Sequence, residues 1–189
     1  MNTAGIISGY LRDMADVLEK IPVADIERVV RVIAGARHSG KKVFFFGNGG
    51  SAATASHFVC DVSKGTIRKD KPRVKAFCLS DNLPLLSAWA NDTAYENVFA
   101  EQLENLVDAG DVVVAISGSG NSANVLKGVA LARQKGATTV GLTAFEGGKL
   151  KAMVDVPLVV PVHNIEQAED VHLILDHMIA VCLRKAEDI

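Results

Sequence analysis

Cysteine, aromatic side chains and any surplus of one charge are scarce in this chain. Its three cysteines, Cys60, Cys78 and Cys182, are odd in number and widely spaced. That excludes a disulfide framework and a metal knuckle, and fits small buried thiols in a reducing compartment, so a cytoplasmic location is expected. A formal charge of -2 over 189 residues offers no general attraction to nucleic acid or to an anionic membrane. Any phosphate recognised must be a small one met locally. No window approaches the ~18 consecutive apolar residues of a membrane span. Arg12 and Asp13 follow Ile6 and Ile7 too closely to leave the apolar core of a signal peptide. The remainder, 49% apolar and 22% charged, is the balance of a globular protein long enough to bury a proper core. One domain over residues 1–189 is expected, with helices in 1–40 and an α/β core in 41–189.

The chain is organised around residues 42–64. A short apolar run, Val43 to Phe46, stops at Gly47, passes through Asn48-Gly49-Gly50 and restarts at Ser51 with alanine-rich helical composition. This spacing predicts strand, tight loop and helix. Glycines let backbone approach a ligand, Ser51 can cap the helix while offering a hydroxyl, and first-turn N–H groups point outward, which together suit an anion. Further along, His57 and Asp61 are four residues apart and project from one helix face.

Before this stretch, Ile7, Leu11, Met14 and Leu18, widened by Ile6, Tyr10 and Val17, predict a helix that ends at Ile21-Pro22, and Val23 to Arg37 a second. The broad stripe of the first helix needs cover, and another subunit is the expected source. After it, the basic residues between Lys64 and Lys75 read as a solvated loop or as a flap bringing a cation to a phosphate. Strands are then expected at Val74–Leu79, Asp111–Ile116, Thr138–Thr143 and Val156–Val160. Helices are expected at Leu83–Trp89, Tyr95–Val107, Ala123–Lys135, Gly147–Met153 and Val171–Leu183. Strands alternating with helices imply a parallel sheet covered on both faces, with ligands at the carboxyl ends of the strands.

Ser117-Gly118-Ser119-Gly120-Asn121-Ser122 is a second small-residue loop between strand and helix. Its hydroxyls and free N–H groups suit the oxygens of a phosphate monoester. The first loop also satisfies the G-x-G-x-x-A form of a dinucleotide fingerprint, but the acidic residue expected at the end of the next strand is missing. Asp81 lies too far on, and a dinucleotide leaves the serine loop unexplained.

Gly47-Asn48-Gly49-Gly50-Ser51 followed by His57, then Ser117 to Ser122, then Thr143 with Gly147-Gly148, resembles a sugar isomerase (SIS) domain, and within it the phosphoheptose isomerase family. The likeness runs from about residue 3 to residue 185. It implies a flavodoxin-like three-layer sandwich with a five-stranded parallel sheet and an N-terminal helical hairpin. It also implies a homotetramer with sites at subunit interfaces, and isomerisation of sedoheptulose 7-phosphate to an aldose phosphate. By the same resemblance Ser51, Ser117, Ser119 and Ser122, with Gly49, Gly50 and Gly118, hold the phosphate, and Asn48 and Asp92 lie near the sugar.

Interconverting a ketose and an aldose needs a base to move a proton between neighbouring carbons, and an acid or metal to stabilise the enediolate oxygen. The resemblance gives the base to the position of Asp61, where the family has glutamate, and the acid to His177. It gives zinc to His57, Asp61, His177 and the position of Glu169, where the family has glutamine. Residues eight apart on a helix are rotated by about 80°, so Glu169 and His177 can face one site. Two histidines and two carboxylates suit Zn2+; His163 and His172 read as ordinary histidines. Aspartate is one methylene shorter than glutamate, which leaves three readings: a shifted backbone that keeps Asp61 as base, Glu169 as base instead, or a module that binds sugar phosphate without isomerising it, as some initiator-associating relatives do.

Overall fold

The computed structural model describes residues 2–189. Two helices come first, α1 (Thr3–Glu19) and α2 (Val23–His38). Then follow β1 (Lys42–Gly47), α3 (Gly50–Cys60), a π-helical turn (Asp61–Gly65), β2 (Lys75–Cys78), α4 (Leu83–Asp92), a 3-10 turn (Tyr95–Asn97) and α5 (Ala100–Leu106). The second half runs β3 (Val112–Ile116), α6 (Ala123–Gln134), β4 (Thr138–Thr143), α7 (Gly148–Met153), β5 (Val156–Val159) and α8 (Ile165–Lys185). All strand pairs are parallel, in the order β2-β1-β3-β4-β5, which is the flavodoxin-like doubly wound order.

The strands read as unbroken apolar runs because both faces of the sheet are covered. Side chains alternate across it. Val43 and Phe45 enter one core with Ile33 of α2, Phe58 of α3 and Leu175 of α8. Phe44 and Phe46 enter the other with Phe99, Leu103 of α5 and Val129 of α6. Helices α2, α3 and α8 therefore form one outer layer, and α5, α6 and α7 the other.

Two expected helices differ from those observed. The run Tyr95–Val107 is split into a 3-10 turn and α5. Helix α8 begins at Ile165, six residues before the expected Val171, because Asn164 caps it by accepting from the Gln167 N–H at 2.9 Å. That Asn-x-x-Gln signal precedes a polar first turn, which hides it from a hydrophobic pattern.

Helix α8 is held at its far end by buried and basic groups. Arg37, 1% exposed, donates to the Leu183 carbonyl at 2.9 Å. Arg68 pairs with Asp70 and donates to the Arg184 and Ala186 carbonyls. Lys75 donates to Gly40 O at the amino ends of the strands, away from the glycine loops. Those two cations of the basic stretch thus serve the backbone. In α1, by contrast, Val17 is the buried residue, while Ile6, Ile7 and Leu11 stay largely exposed. No helix among the described residues is long and apolar enough to cross a membrane.

Candidate functional site

Strand order reverses between β1 and β3, so the loops leaving their carboxyl ends open one crevice. The first loop turns sharply at Gly47. A Cβ there would lie 2.7 Å from Ser51 Cβ and 2.8 Å from the Ile116 carbonyl. Ser80, in the turn just after β2, fixes this turn by donating to Gly47 O at 2.9 Å. Gly49, not Ser51, occupies the N-cap of α3, with φ 54° and ψ -123°, a conformation open to glycine. Ser51 is instead buried in the first helical turn, where its hydroxyl is not used as a cap.

The second loop is clamped from beneath. Gly118 O accepts from Ala144 N, and Gly120 O from Leu150 N. Gly120 itself has φ +64°, and a Cβ on it would stand 2.1 Å from Gly147 O. Ser117 and Ser122 hydroxyls meet at 3.3 Å. Ser122 is the N-cap of α6 yet makes no side-chain cap hydrogen bond, which leaves its hydroxyl for a ligand. Ser119 Oγ accepts from Asn121 N at 3.2 Å. The hydroxyls of Ser51, Ser117, Ser119 and Ser122, with the N-terminal N–H groups of α3 and α6, make a donor-rich cradle for an anion.

Asn48 exchanges two hydrogen bonds with Asn124, at 2.9 and 2.8 Å, and its oxygen also accepts from the Tyr95 hydroxyl at 2.8 Å. Sequence reasoning misses Asn124 and Tyr95, since a pair 76 positions apart leaves no local pattern. Asp92 closes α4, exposed, its carboxylate accepting from Asn91. Among the described residues no hydrogen bond or ion pair joins it to either loop.

The acid/base residues lie where α3 and α8 pack side by side. His57 and His177 turn their Nε2 atoms toward each other at 3.1 Å. Asp61 lies between them, with Oδ1 3.8 Å from His57 Nε2 and Oδ2 3.7 Å from His177 Nε2. Asp61 opens the π-helical turn, a local widening that occurs often at functional sites. The fourth member of the group is Asp176: one ligand atom from each of His57, Asp61, Asp176 and His177 lies within 4.8 Å of all the others.

Glu169 is outside this group. Its carboxylate faces Gly50, where a Cβ would approach Glu169 Oε2 to 2.3 Å, so the glycine makes room for it. Eight residues place Glu169 and His177 on related faces, but they also separate them by about 12 Å along the axis. Glu169 therefore sits beside the start of α3 and His177 beside its end. Asp176 is fully buried, and neither of its oxygens has a hydrogen-bond partner. Burial, with the charge of Asp61 adding to it, pushes its carboxyl up to about 8. A lone carboxylate in the apolar run Val171–Leu183 was the available sequence signal. His172 is buried with Nε2 3.2 Å from the Thr143 carbonyl, and burial lowers its basicity. His163 stands at the surface beside Glu146.

Known proteins share this arrangement of loops and helices. The family described as SIS domain matches residues 9–144. A phosphoheptose isomerase of Trichlorobacter lovleyi is 38% identical over 159 residues, covering 84% of this chain and 79% of the relative. A probable phosphoheptose isomerase of Thermoplasma acidophilum is 37% identical over 174 residues, 92% of this chain and 95% of the relative. The solved structure of phosphoheptose isomerase GmhA from Neisseria gonorrhoeae superposes with a TM-score of 0.90 at 30% identity, over 96% of this chain and 98% of that one. The chain belongs to the SIS domain family and, within it, to the phosphoheptose isomerases.

Proposed function

We propose that this chain interconverts sedoheptulose 7-phosphate and glycero-manno-heptose 7-phosphate through an enediolate. The observation that carries the reading is a donor-rich glycine–serine cradle and a two-histidine, carboxylate-containing group at the two ends of one helix, α3. The kinship with phosphoheptose isomerases supports the substrate. Ser51, Ser117, Ser119 and Ser122 bind the phosphate, with Gly49, Gly50 and Gly118 admitting it close to backbone, and Asn48 and Asp92 meet the sugar hydroxyls. Asp61 takes a proton from C1 and returns it to C2. His177 protonates the C2 oxygen and accepts the proton that leaves the C1 hydroxyl, so the charge on the intermediate never stands uncompensated. Glu169 is the competing base.

Zn2+ fits the residues present. A tetrahedral zinc with bonds of ~2.05 Å sets its ligands about 3.3 Å apart, against the 3.1, 3.8 and 3.7 Å among His57, Asp61 and His177. These three residues would hold it, and when bound, with His177 Nε2 then turned to the metal, it would supply Lewis-acid stabilisation of the enediolate oxygen in place of that histidine's proton. The test is NMR of the protein with sedoheptulose 7-phosphate in D₂O, as purified, after chelation and with zinc restored. The aldose phosphate carrying deuterium at C2 is the expected product. Neither product nor exchange, with the ligand still raising the melting temperature, would leave a binding module instead.

Two further results are expected. Ser119→Ala and Ser122→Ala should each weaken phosphate-ester binding by about 1 to 3 kcal/mol, the worth of a hydrogen bond to a charged group; unchanged inhibition by inorganic phosphate would remove them from the cradle. The chain should also sediment as a homotetramer with its sites at subunit interfaces. Two features support this. The His57 and His177 side chains remain 46% and 51% exposed, and beside His177 lies an apolar groove of about 560 Å³ lined by Val23, Ile26, Val30, Ile174, Met178 and Val181. A clean monomer at micromolar concentration in analytical ultracentrifugation would remove this expectation.

A further inference from the structure

His57, Asp61 and His177 supply three ligands for a metal, and a closed protein site takes a fourth. The resemblance points to Glu169, but that carboxylate faces Gly50 at the start of α3. Asp176 is in the right place instead. It neighbours His177 on α8, and one of its oxygens belongs to the group whose ligand atoms all lie within 4.8 Å of one another.

Its surroundings argue for a cation more strongly than its position does. Asp176 is fully buried, and neither carboxylate oxygen meets a hydrogen-bond donor. Burying such a group without a partner is unfavourable, and a buried carboxylate is ordinarily paired or bound to metal. The nearby charged group on the facing element, Asp61, is of the same sign, with a carboxylate oxygen within 4.8 Å of one of Asp176. Two carboxylates and two imidazole nitrogens, with no donor reaching Asp176, form a set that a divalent cation satisfies at once, its charge matched by theirs.

We propose that Asp176, rather than Glu169, is the fourth protein ligand of the metal held by His57, Asp61 and His177. The inference rests on the reading that a metal occupies this group. It gives the chain a ligand set of its own: a carboxylate adjacent in sequence to the histidine replaces one two turns earlier, and Glu169 is released to face the sugar phosphate.

The test is metal binding by the chelated chain of residues 1–189, followed with Zn2+ against a chromogenic chelator and with Co2+ by its visible absorption. Asp176→Asn keeps the shape of the side chain and removes its charge. It should weaken Zn2+ by more than ~100-fold, beyond the ~10- to 100-fold seen for losing a group that merely supports a ligand. Glu169→Gln should bind Zn2+ as the wild type does and leave the Co2+ spectrum unchanged. Thermal melts of the metal-free variants check folding, and the Glu169→Gln arm tests the inference even where Asp176→Asn folds poorly. Wild-type affinity in Asp176→Asn, or loss of metal in Glu169→Gln, overturns the inference alone. A wild-type chain that binds neither ion overturns the metal reading and the inference together.

Discussion

Asp61→Asn is expected to slow isomerisation by about 10²- to 10⁴-fold, the usual worth of a positioned general base, with inorganic phosphate still binding as before. Asparagine preserves the shape of the side chain and can still accept a hydrogen bond, but it cannot hold the proton that must travel from C1 to C2. The cradle lies at the other end of α3, beyond the reach of the change. Both oxygens of Asp61 lie near histidine nitrogens, at 3.8 and 3.7 Å, so its orientation is defined before substrate arrives. The measurement is kcat at saturating zinc beside deuterium exchange at C2, with Glu169→Gln alongside. Exchange that survives Asp61→Asn and vanishes in Glu169→Gln would transfer the role of base to Glu169.

Gly120→Ala should destabilise the fold by about 2 to 5 kcal/mol and abolish phosphate binding. Two effects combine. The residue has φ +64°, where a Cβ adds roughly 1 to 2 kcal/mol of strain. The new methyl would also stand 2.1 Å from Gly147 O and 2.7 Å from Gly147 C, and overpacking of this kind costs about 1 to 3 kcal/mol. Both neighbours are backbone, so no side chain can swing aside. Relief requires moving the serine loop or the turn before α7, and the loop is part of the proposed cradle. Gly35→Ala is the opposite case: it lies within α2 with nothing within 4 Å of its added Cβ, and should stabilise by about 0.5 to 1 kcal/mol. Chemical denaturation reads both, and a Gly120→Ala protein as stable as the wild type would contradict the strain argument.

The sheet and its two loops are legible in the sequence because each rests on short-range chemistry. A run such as Val112 to Ile116, five residues, β-branched and bounded by turn residues, is too short for a helix and reads as a buried strand, and Gly47 to Ser51 leaves few options to the backbone. Helical phase is legible as well: His57 and Asp61 do share a face. The rest depends on distances that phase does not encode. Glu169 and His177 satisfy the angular rule and are parted by the helical rise. Asn48 finds Asn124 only once the sheet has brought β1 beside β3. Asp176 announces itself as the lone carboxylate of the apolar run Val171–Leu183, yet what marks it out is burial against α3, which no residue of α8 reports.

Helix α3 joins these observations through its direction. Its peptide dipoles run on through the π-helical turn and add to about half a positive charge at Gly50 and half a negative charge near Gly65. In the proposed reading the phosphate is received at the first end, and Asp61 and His177 flank the second, so the same backbone field would favour an anion at its head and a cation at its tail. Turning the helix around would penalise both ligands, which makes its polarity as much a part of the site as any side chain.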